Sequence, residues 1–381
     1  MGTNFESAQP QVAQVSSVHK PFDTRIYEKI SKTLVESGWS LLLIVSHDEE
    51  LAAEIVRIKT VKKFRNRAVR ATLGSALCMM SAIRSKAKII HLHDPELIVW
   101  IPIFRLLGRK VIFDMHENTP ANIRGKPWIP GFLRPVVSWL WLLIEWVFIR
   151  NTHVIFAEAS YADDYPWISS TTIVQNYPKV GEFSPRITGN RKGLTLVYLG
   201  AVARVRGSRM MLDVVSRLQN EGYEVCLKCI GPVADSHLEE LNNEIRKLGL
   251  QNVEFLGYQS PQRAWRLASS ADVGLAILQP HPNYFRSYPT KMFEYMSMGL
   301  PVVVSDFPLY REVIEAARCG VCVQPDDVNA ILRELRPILD SEELRIEMGT
   351  RGRRSVERQY SWEVEKEKLL DCYSSLAGDL R

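Results

Sequence analysis

Residues 281–308 read HPNYFRSYPTKMFEYMSMGLPVVVSDFP. The stretch predicts a polar, aromatic loop, a short apolar helix and a buried strand. Pro289 suits the first turn of that helix, and Gly299 suits the position just past its end. The strand PVVVS is apolar on both faces, as in a parallel sheet covered by helices. The helix N-terminus faces the loop, and its unpaired N–H groups suit an anion. Lys291 adds charge in the first turn, beside Thr290. Glu294 follows one turn later. It either pairs with a local Lys or Arg, or accepts hydrogen bonds from neighbouring hydroxyls such as those of a ribose. Asn283, Tyr284 and Arg286 lie in the loop before it.

Working outward, the same alternation fills the chain. The first half carries strand-length runs at 12–18, 39–46, 88–93, 110–115 and 153–158, with helical stretches such as RIYEKISKTLVESG (25–38) between them. A polar stretch with Gly and Pro follows. Alternation restarts at 194 with LTLVYLG, EVCLKCIG, VEFLG, VGLAIL and PVVVS. The expected fold is α/β, with two Rossmann-like domains of open parallel sheet facing across a cleft. The expected boundaries are a first domain at 1–179, a linker at 180–193, a second domain at 194–360 and a closing amphipathic helix at 361–381. Ligands bind such sheets at the carboxyl ends of their strands.

Composition narrows the classes. The 381 residues carry a net charge of +5, too little to suggest a nucleic-acid partner. The N-terminal stretch lacks the basic start and apolar core of a secretory signal. The apolar run at 136–149 includes Glu145 and is shorter than the ~20 residues a membrane span needs, so a buried or interfacial helix is expected. Six cysteines include the pairs Cys226/Cys229 and Cys319/Cys322. Both pairs sit in strand-like runs, where positions three apart face opposite ways, so neither is expected to hold zinc. Unpaired thiols of this kind suit a reducing cytoplasm.

PTKMFEYMSMGLPVVVSDFPLYREVI (289–314), followed by CGVCVQPDDVNAI (319–331), resembles the donor-binding domain of glycosyltransferase family 4, the group 1 glycosyltransferases of the GT-B fold. LVYLGAVARVRGSRMMLDVV (196–215) and VEFLGYQS (253–260) extend the resemblance. HKPFDTRIYEKISKTLVESG (19–38), IIHLHDPELI (89–98) and KVIFDMHENTP (110–120) resemble the acceptor domain more loosely. The resemblance implies a retaining, metal-independent glycosyltransferase without a cofactor. Its substrates would be a nucleotide-sugar donor and a glycan or polyprenyl-linked glycan acceptor, in bacterial surface polysaccharide synthesis. It places Glu294 on the donor ribose. The family's other loop glutamate is replaced by Arg286, so Asn283, Tyr284 or Arg286 would meet the transferred sugar instead. The family's diphosphate lysine falls on Arg206. Its arginine falls on Ala201, with Arg204 placed to supply the lost charge. His116 falls near the reacting sugar. Asp23 and His19 occupy the first strand-to-helix loop, and Asp94 is a further cleft candidate.

A sugar-nucleotide epimerase of the same fold is the alternative; it would exchange solvent hydrogen into a nucleotide sugar without acceptor. A non-catalytic binding protein would neither hydrolyse nor transfer any donor. The segment RIKTVKKFRNRAVR (57–70) is basic and free of acids. Read as a helix, it sets Lys59, Lys63, Arg67 and Arg70 on one face. That face would dock the first domain on an anionic membrane surface, giving a cytoplasmic protein peripheral to the inner face of the cell membrane.

Overall fold

The computed structural model describes residues 9–126, 129–186 and 193–378. Two compact units divide the chain. One holds the residues up to Asn176 together with those from Glu365 onward; the other is Tyr177–Val364.

The first unit is a seven-stranded sheet. Its strands are β1 (Val12–Ser16), β2 (Leu41–Ser46), β3 (Arg57–Val61), β4 (Ile89–Leu92), β5 (Lys110–Met115), β6 (His153–Phe156) and β7 (Thr171–Ile173). Their order is β3-β2-β1-β4-β5-β6-β7, and every pairing is parallel. Parallel neighbours need crossovers. Three of these use the helices α1 (Ser75–Arg84), α2 (Ile101–Leu106) and α3 (Arg134–Ile149). One core layer joins Cys78 and Met79 of α1, Ile101 and Phe104 of α2 and Ile149 of α3 to the sheet residues Val15, Leu92 and Phe113. The chain reverses its progress across the sheet between β1 and β4. That switch leaves a crevice at the carboxyl ends of those two strands.

The basic segment 57–70 is not a helix. Its first residues, RIKTV, form the edge strand β3, in register with β2 from Leu42↔Arg57 to Ser46↔Val61. Alternating β-branched residues beside an unpaired strand favour the sheet over the helix. Helical structure begins only at Arg67–Val69, where the Asn66 side chain caps the turn. Lys59, Lys63, Arg67 and Arg70 therefore share no helix face. Arg70 is committed to Glu96 through two hydrogen bonds of 3.1 and 3.2 Å.

The second unit is a six-stranded parallel sheet of β8 (Leu194–Leu199), β9 (Val225–Ile230), β10 (Val253–Phe255), β11 (Val273–Ala276), β12 (Val302–Ser305) and β13 (Gly320–Val323). The order is β10-β9-β8-β11-β12-β13, so the switch falls between β8 and β11. Helix α4 (Ser208–Asn220) follows β8, and α5 (Thr290–Met298) links β11 to β12. Cys226 and Cys229 both lie on β9, and all six cysteines are free thiols.

The expected linker at 180–193 belongs in part to this unit. Val180–Glu182 form a 3-10 turn, and Phe183 is buried in the unit's core. Arg186 reaches Asp272 at 2.5 Å. Residues 187–192 of that stretch lie outside the described residues. The final helix α6 (Trp362–Gly378) places Leu369 and Tyr373 in the interior. Tyr373 meets His91 of β4, with 2.6 Å between its hydroxyl and Nδ1.

Candidate active site

In the second unit, candidate residues gather where β8 and β11 diverge. β8 ends at Leu199, and the chain turns through Gly200 at a φ of +116°. A side chain on Gly200 would crowd the Arg206 guanidinium, 3.4 Å from its Cβ, and the Lys291 ammonium, 3.6 Å away. Two cations thus converge over one backbone position. Arg206 closes a 3-10 turn, Arg204–Arg206, directly before α4. Gly207 then takes a φ of +77°, where any Cβ would strike the Ile277 carbonyl oxygen at 1.9 Å. The loop is pinned against the strand end, and that fixes Arg206.

Tyr198 organises the pair. Its hydroxyl donates to the Ala201 carbonyl oxygen at 3.0 Å and accepts from Lys291 Nζ at 3.4 Å. The Tyr198 and Tyr284 hydroxyls lie beside Arg206; burial opposes its charge, and these two neighbours outweigh that and raise its pKa. The Lys291 ammonium also lies 4.6 Å above the Tyr198 ring. Lys291 is 7 % exposed. Burial first, and then the Arg206 charge, push it down to about 7, against a smaller opposing pull from Glu294. Two adjacent cations beside the half-buried Glu294 make an electropositive cluster that suits a diphosphate. Thr290 and Lys291 open α5, so the helix N-terminus adds its own partial charge.

The loop before α5 carries the remaining expected residues. Tyr284 and Asn283 are half-buried; Arg286 is exposed. Phe285 stacks on Phe307, with ring centroids 4.5 Å apart. Ser287 donates to the Asn283 carbonyl oxygen at 2.8 Å, which tightens the loop. Arg204 is not brought to this cluster. It points outward and makes a two-pronged contact with Glu240, at 2.5 and 3.1 Å. In so tight a turn the side chains of Arg204 and Arg206 diverge, and Glu240 supplies the nearer partner.

The first unit has its own cluster, at the carboxyl ends of β1, β4 and β5. Asp114 is fully buried and accepts from Arg25 through Nε at 3.1 Å and Nη2 at 2.8 Å. His93 Nδ1 lies 3.2 Å from the same carboxylate, and His116 Nε2 lies 3.3 Å from it. Burial alone would raise Asp114, but Arg25 and the neighbouring imidazoles hold it well below the usual carboxylate range. Burial pushes His116 down to about 3 and Arg25 adds to the effect, so this imidazole is neutral at pH 7. His19 stacks against His116 at 5.1 Å and contacts Asp94 at 2.8 Å. Burial opposes its charge, but the Asp94 hydrogen bond and charge outweigh that and raise its pKa. Asp94 also accepts from Ser16 Oγ and from the backbone N–H of Ser17 and Val18, so it anchors the loop after β1.

His91, His93 and Asp114 are close enough to share a cation. Arg25 already neutralises that carboxylate, so a divalent ion there would face a buried guanidinium. Asp23 acts locally: its Oδ1 accepts from the backbone N–H of Arg25 and Ile26, at 2.8 and 2.9 Å, and caps the helical segment that follows.

Residues 182–355 match the family model of glycosyl transferases group 1. Over that stretch, somewhat less than half of the chain, the second unit is similar to the group 1 glycosyltransferases. The spore coat protein SA of Bacillus subtilis is 24% identical over 184 residues, covering 47% of this chain and 48% of that protein, about half its length. The phosphatidyl-myo-inositol mannosyltransferase of Mycobacterium leprae is 24% identical over 295 residues, covering 76% of this chain and 74% of its own. In solved structures, sucrose-phosphate synthase from Thermosynechococcus elongatus superposes with a TM-score of 0.74 at 14% identity, covering 97% of this chain and 99% of that one. The two parallel-sheet units are those of the GT-B fold.

Among the residues expected from the sequence, Arg206, Lys291 and Tyr284 come together in one cluster, and Glu294 lies one turn along α5 from Lys291. His116 and His19 come together in the first unit. Sequence reasoning missed Tyr198, which in LVYLG reads as one more core aromatic. Its position at the last turn of a strand before Gly was the available signal. It also missed the Arg25–Asp114 pair. An acid inside the apolar strand KVIFDM should have demanded a cation.

Proposed function

We propose that the protein is a retaining glycosyltransferase that moves a sugar from a nucleotide-sugar donor to a glycan or polyprenyl-linked glycan, in the synthesis of a bacterial surface polysaccharide. The observation that carries this reading is the convergence of Arg206 and Lys291 over Gly200, at the switch point of a group 1 glycosyltransferase domain. Glycosyl transfer leaves negative charge on the departing diphosphate, and cations fixed there in advance stabilise it. Glu294 would hold the ribose hydroxyls from α5. His116, neutral at working pH, would donate or accept a hydrogen bond at the sugar.

Retention without a covalent intermediate fits the carboxylates of the first unit. Asp114 is committed to Arg25, and Asp94 to the loop after β1. A same-face attack, with the leaving phosphate helping to deprotonate the acceptor, needs no further acid. The anomeric configuration of the product, read by NMR, tests this; an inverted product overturns it.

The donor reading is tested by titrating UDP-, GDP-, dTDP- and CMP-sugars into the wild type and Glu294→Ala. The nucleotide that binds the wild type should bind the variant about 10- to 150-fold more weakly, the worth of a hydrogen bond to a charged group. Equal affinities would remove Glu294 from the ribose.

Lys291 gives a pH dependence. Below about pH 7 its ammonium is already charged. Above that it is neutral in the free protein, and a bound diphosphate, by raising its pKa, draws a proton in. Donor affinity should therefore weaken as pH rises from 7 to 9, by up to about tenfold per unit. Calorimetry in two buffers of different ionisation enthalpy should show this proton uptake. In Lys291→Met both effects should vanish.

A further inference from the structure

We propose that the outer face of α3 docks into the interfacial layer of an anionic lipid bilayer. The helix is apolar on two sides. Its inner side holds Ser138, Glu145 and Ile149 in the interior. Its outer side exposes Val136, Trp139, Leu140, Leu143, Trp146 and Val147, which recur at helical spacing along its length. Trp139 is 60% exposed. Phe132 extends the stripe before the helix, and Ile103 and Leu106 expose further apolar surface on α2, which packs beside α3. Contiguous apolar surface of this kind is uncommon on a protein that stays in water.

Charge identifies the occupant. Residues 55–157 hold seventeen Lys or Arg and five Asp or Glu. Three of the five acids, Asp94, Asp114 and Glu145, are buried. Glu145 is turned inward, where it accepts from Trp141 Nε1 at 2.8 Å and from the Tyr165 hydroxyl at 2.9 Å. A fourth, Glu96, is held by Arg70. On α3 and its flanks the charges left accessible are thus positive: Arg134 is half-buried, and Arg124 and Arg150 are exposed. Arg150 lies 4.2 Å over the Trp146 ring, a paired aromatic and cation suited to the headgroup level. A second copy meeting this face about a two-fold axis would set like charges together. An anionic headgroup layer over acyl chains complements both features. No described helix is long and apolar enough to cross a membrane, so α3 would lie in the interface plane. This contact uses another element than the basic segment 57–70.

The test is co-sedimentation of the full chain with phosphatidylcholine vesicles containing rising phosphatidylglycerol. Binding should rise with phosphatidylglycerol and weaken in high salt. Trp139→Ser with Leu143→Ser should cut it by about tenfold or more. Arg124→Gln with Arg150→Gln should cut it less, by up to about fivefold per charge, and flatten the salt dependence. Donor binding should be unchanged in both, since neither pair touches the second unit's pocket. Brominated lipid should quench wild-type emission more than that of Trp139→Phe, a check that survives if the serine variant fails to fold. No binding to anionic vesicles, binding indifferent to the serine pair, or a wild-type dimer that this pair dissociates would each overturn the proposal.

Discussion

Arg206→Ala should lower kcat by about 100- to 1000-fold, the effect of removing one preorganised donor from a developing anion. The structure explains why the loss should fall on turnover. Arg206 is set beside the Tyr198 and Tyr284 hydroxyls by a loop pinned at Gly207 against the strand end, in advance of any substrate. A group so placed costs nothing to reorganise as charge moves onto the diphosphate. The fold should survive, because Tyr198 keeps its bond to the Ala201 carbonyl oxygen and Lys291 remains beside it. The variant should leave a second trace. Arg206 is one cause of the low Lys291 pKa, so its removal should move the pH-dependent loss of donor affinity to higher pH. Steady-state kinetics over pH 6 to 9 would check both. A raised KM with normal kcat would mean that Arg206 binds donor and transition state equally. Arg204→Ala should change little, because Arg204 is occupied with Glu240 at the surface.

Asp114→Ala should destabilise the first unit by about 3–5 kcal/mol, the usual cost of stranding one partner of a buried ion pair. Arg25 is 3% exposed and takes both of its satisfied donors to this carboxylate. Alanine would leave the guanidinium charged in the interior and would also take a partner from His93. Seven of the nine tryptophans belong to the first unit, so urea unfolding followed by their emission reads it selectively. The double change Arg25→Met with Asp114→Leu should recover much of the loss, since it removes both charges together. The sign with pH follows from the depressed Asp114 pKa. The pair's contribution is full above the ordinary carboxylate pKa of about 3.9 and is lost only as pH falls through the lower folded value. Stability of Asp114→Ala equal to wild type at pH 7 would show that the pair contributes nothing net.

Much of the architecture was legible along the chain, and for a local reason. A buried parallel strand is a short apolar run, and its covering helix carries its own stop signals, as at Gly299. Neither depends on what the run packs against. The same holds for the Glu294 and Lys291 spacing, set by one helical turn. The edge strands of the first sheet, β3 and β7, were not legible. β3 reads as a basic helix because Arg57 and Lys59 alternate with Ile58 and Thr60, and β-branched residues tolerate either state. Only the open edge of β2 chose between them.

The sequence by itself determined two α/β units, their switch-point loops and the helix that presents Lys291 and Glu294. Backbone periodicity and turn chemistry are written in neighbouring residues. Tertiary structure alone decided which charges meet. It sent Arg204 to Glu240 and Arg206 to Tyr198, although one residue separates them, because a tight turn points the two side chains apart. It brought Arg25 to Asp114 across 89 positions of chain. It also turned Glu145 inward to Tyr165 and left Trp139 facing out of the same helix. Desolvation decides such choices, and desolvation depends on which distant segments cover a side chain.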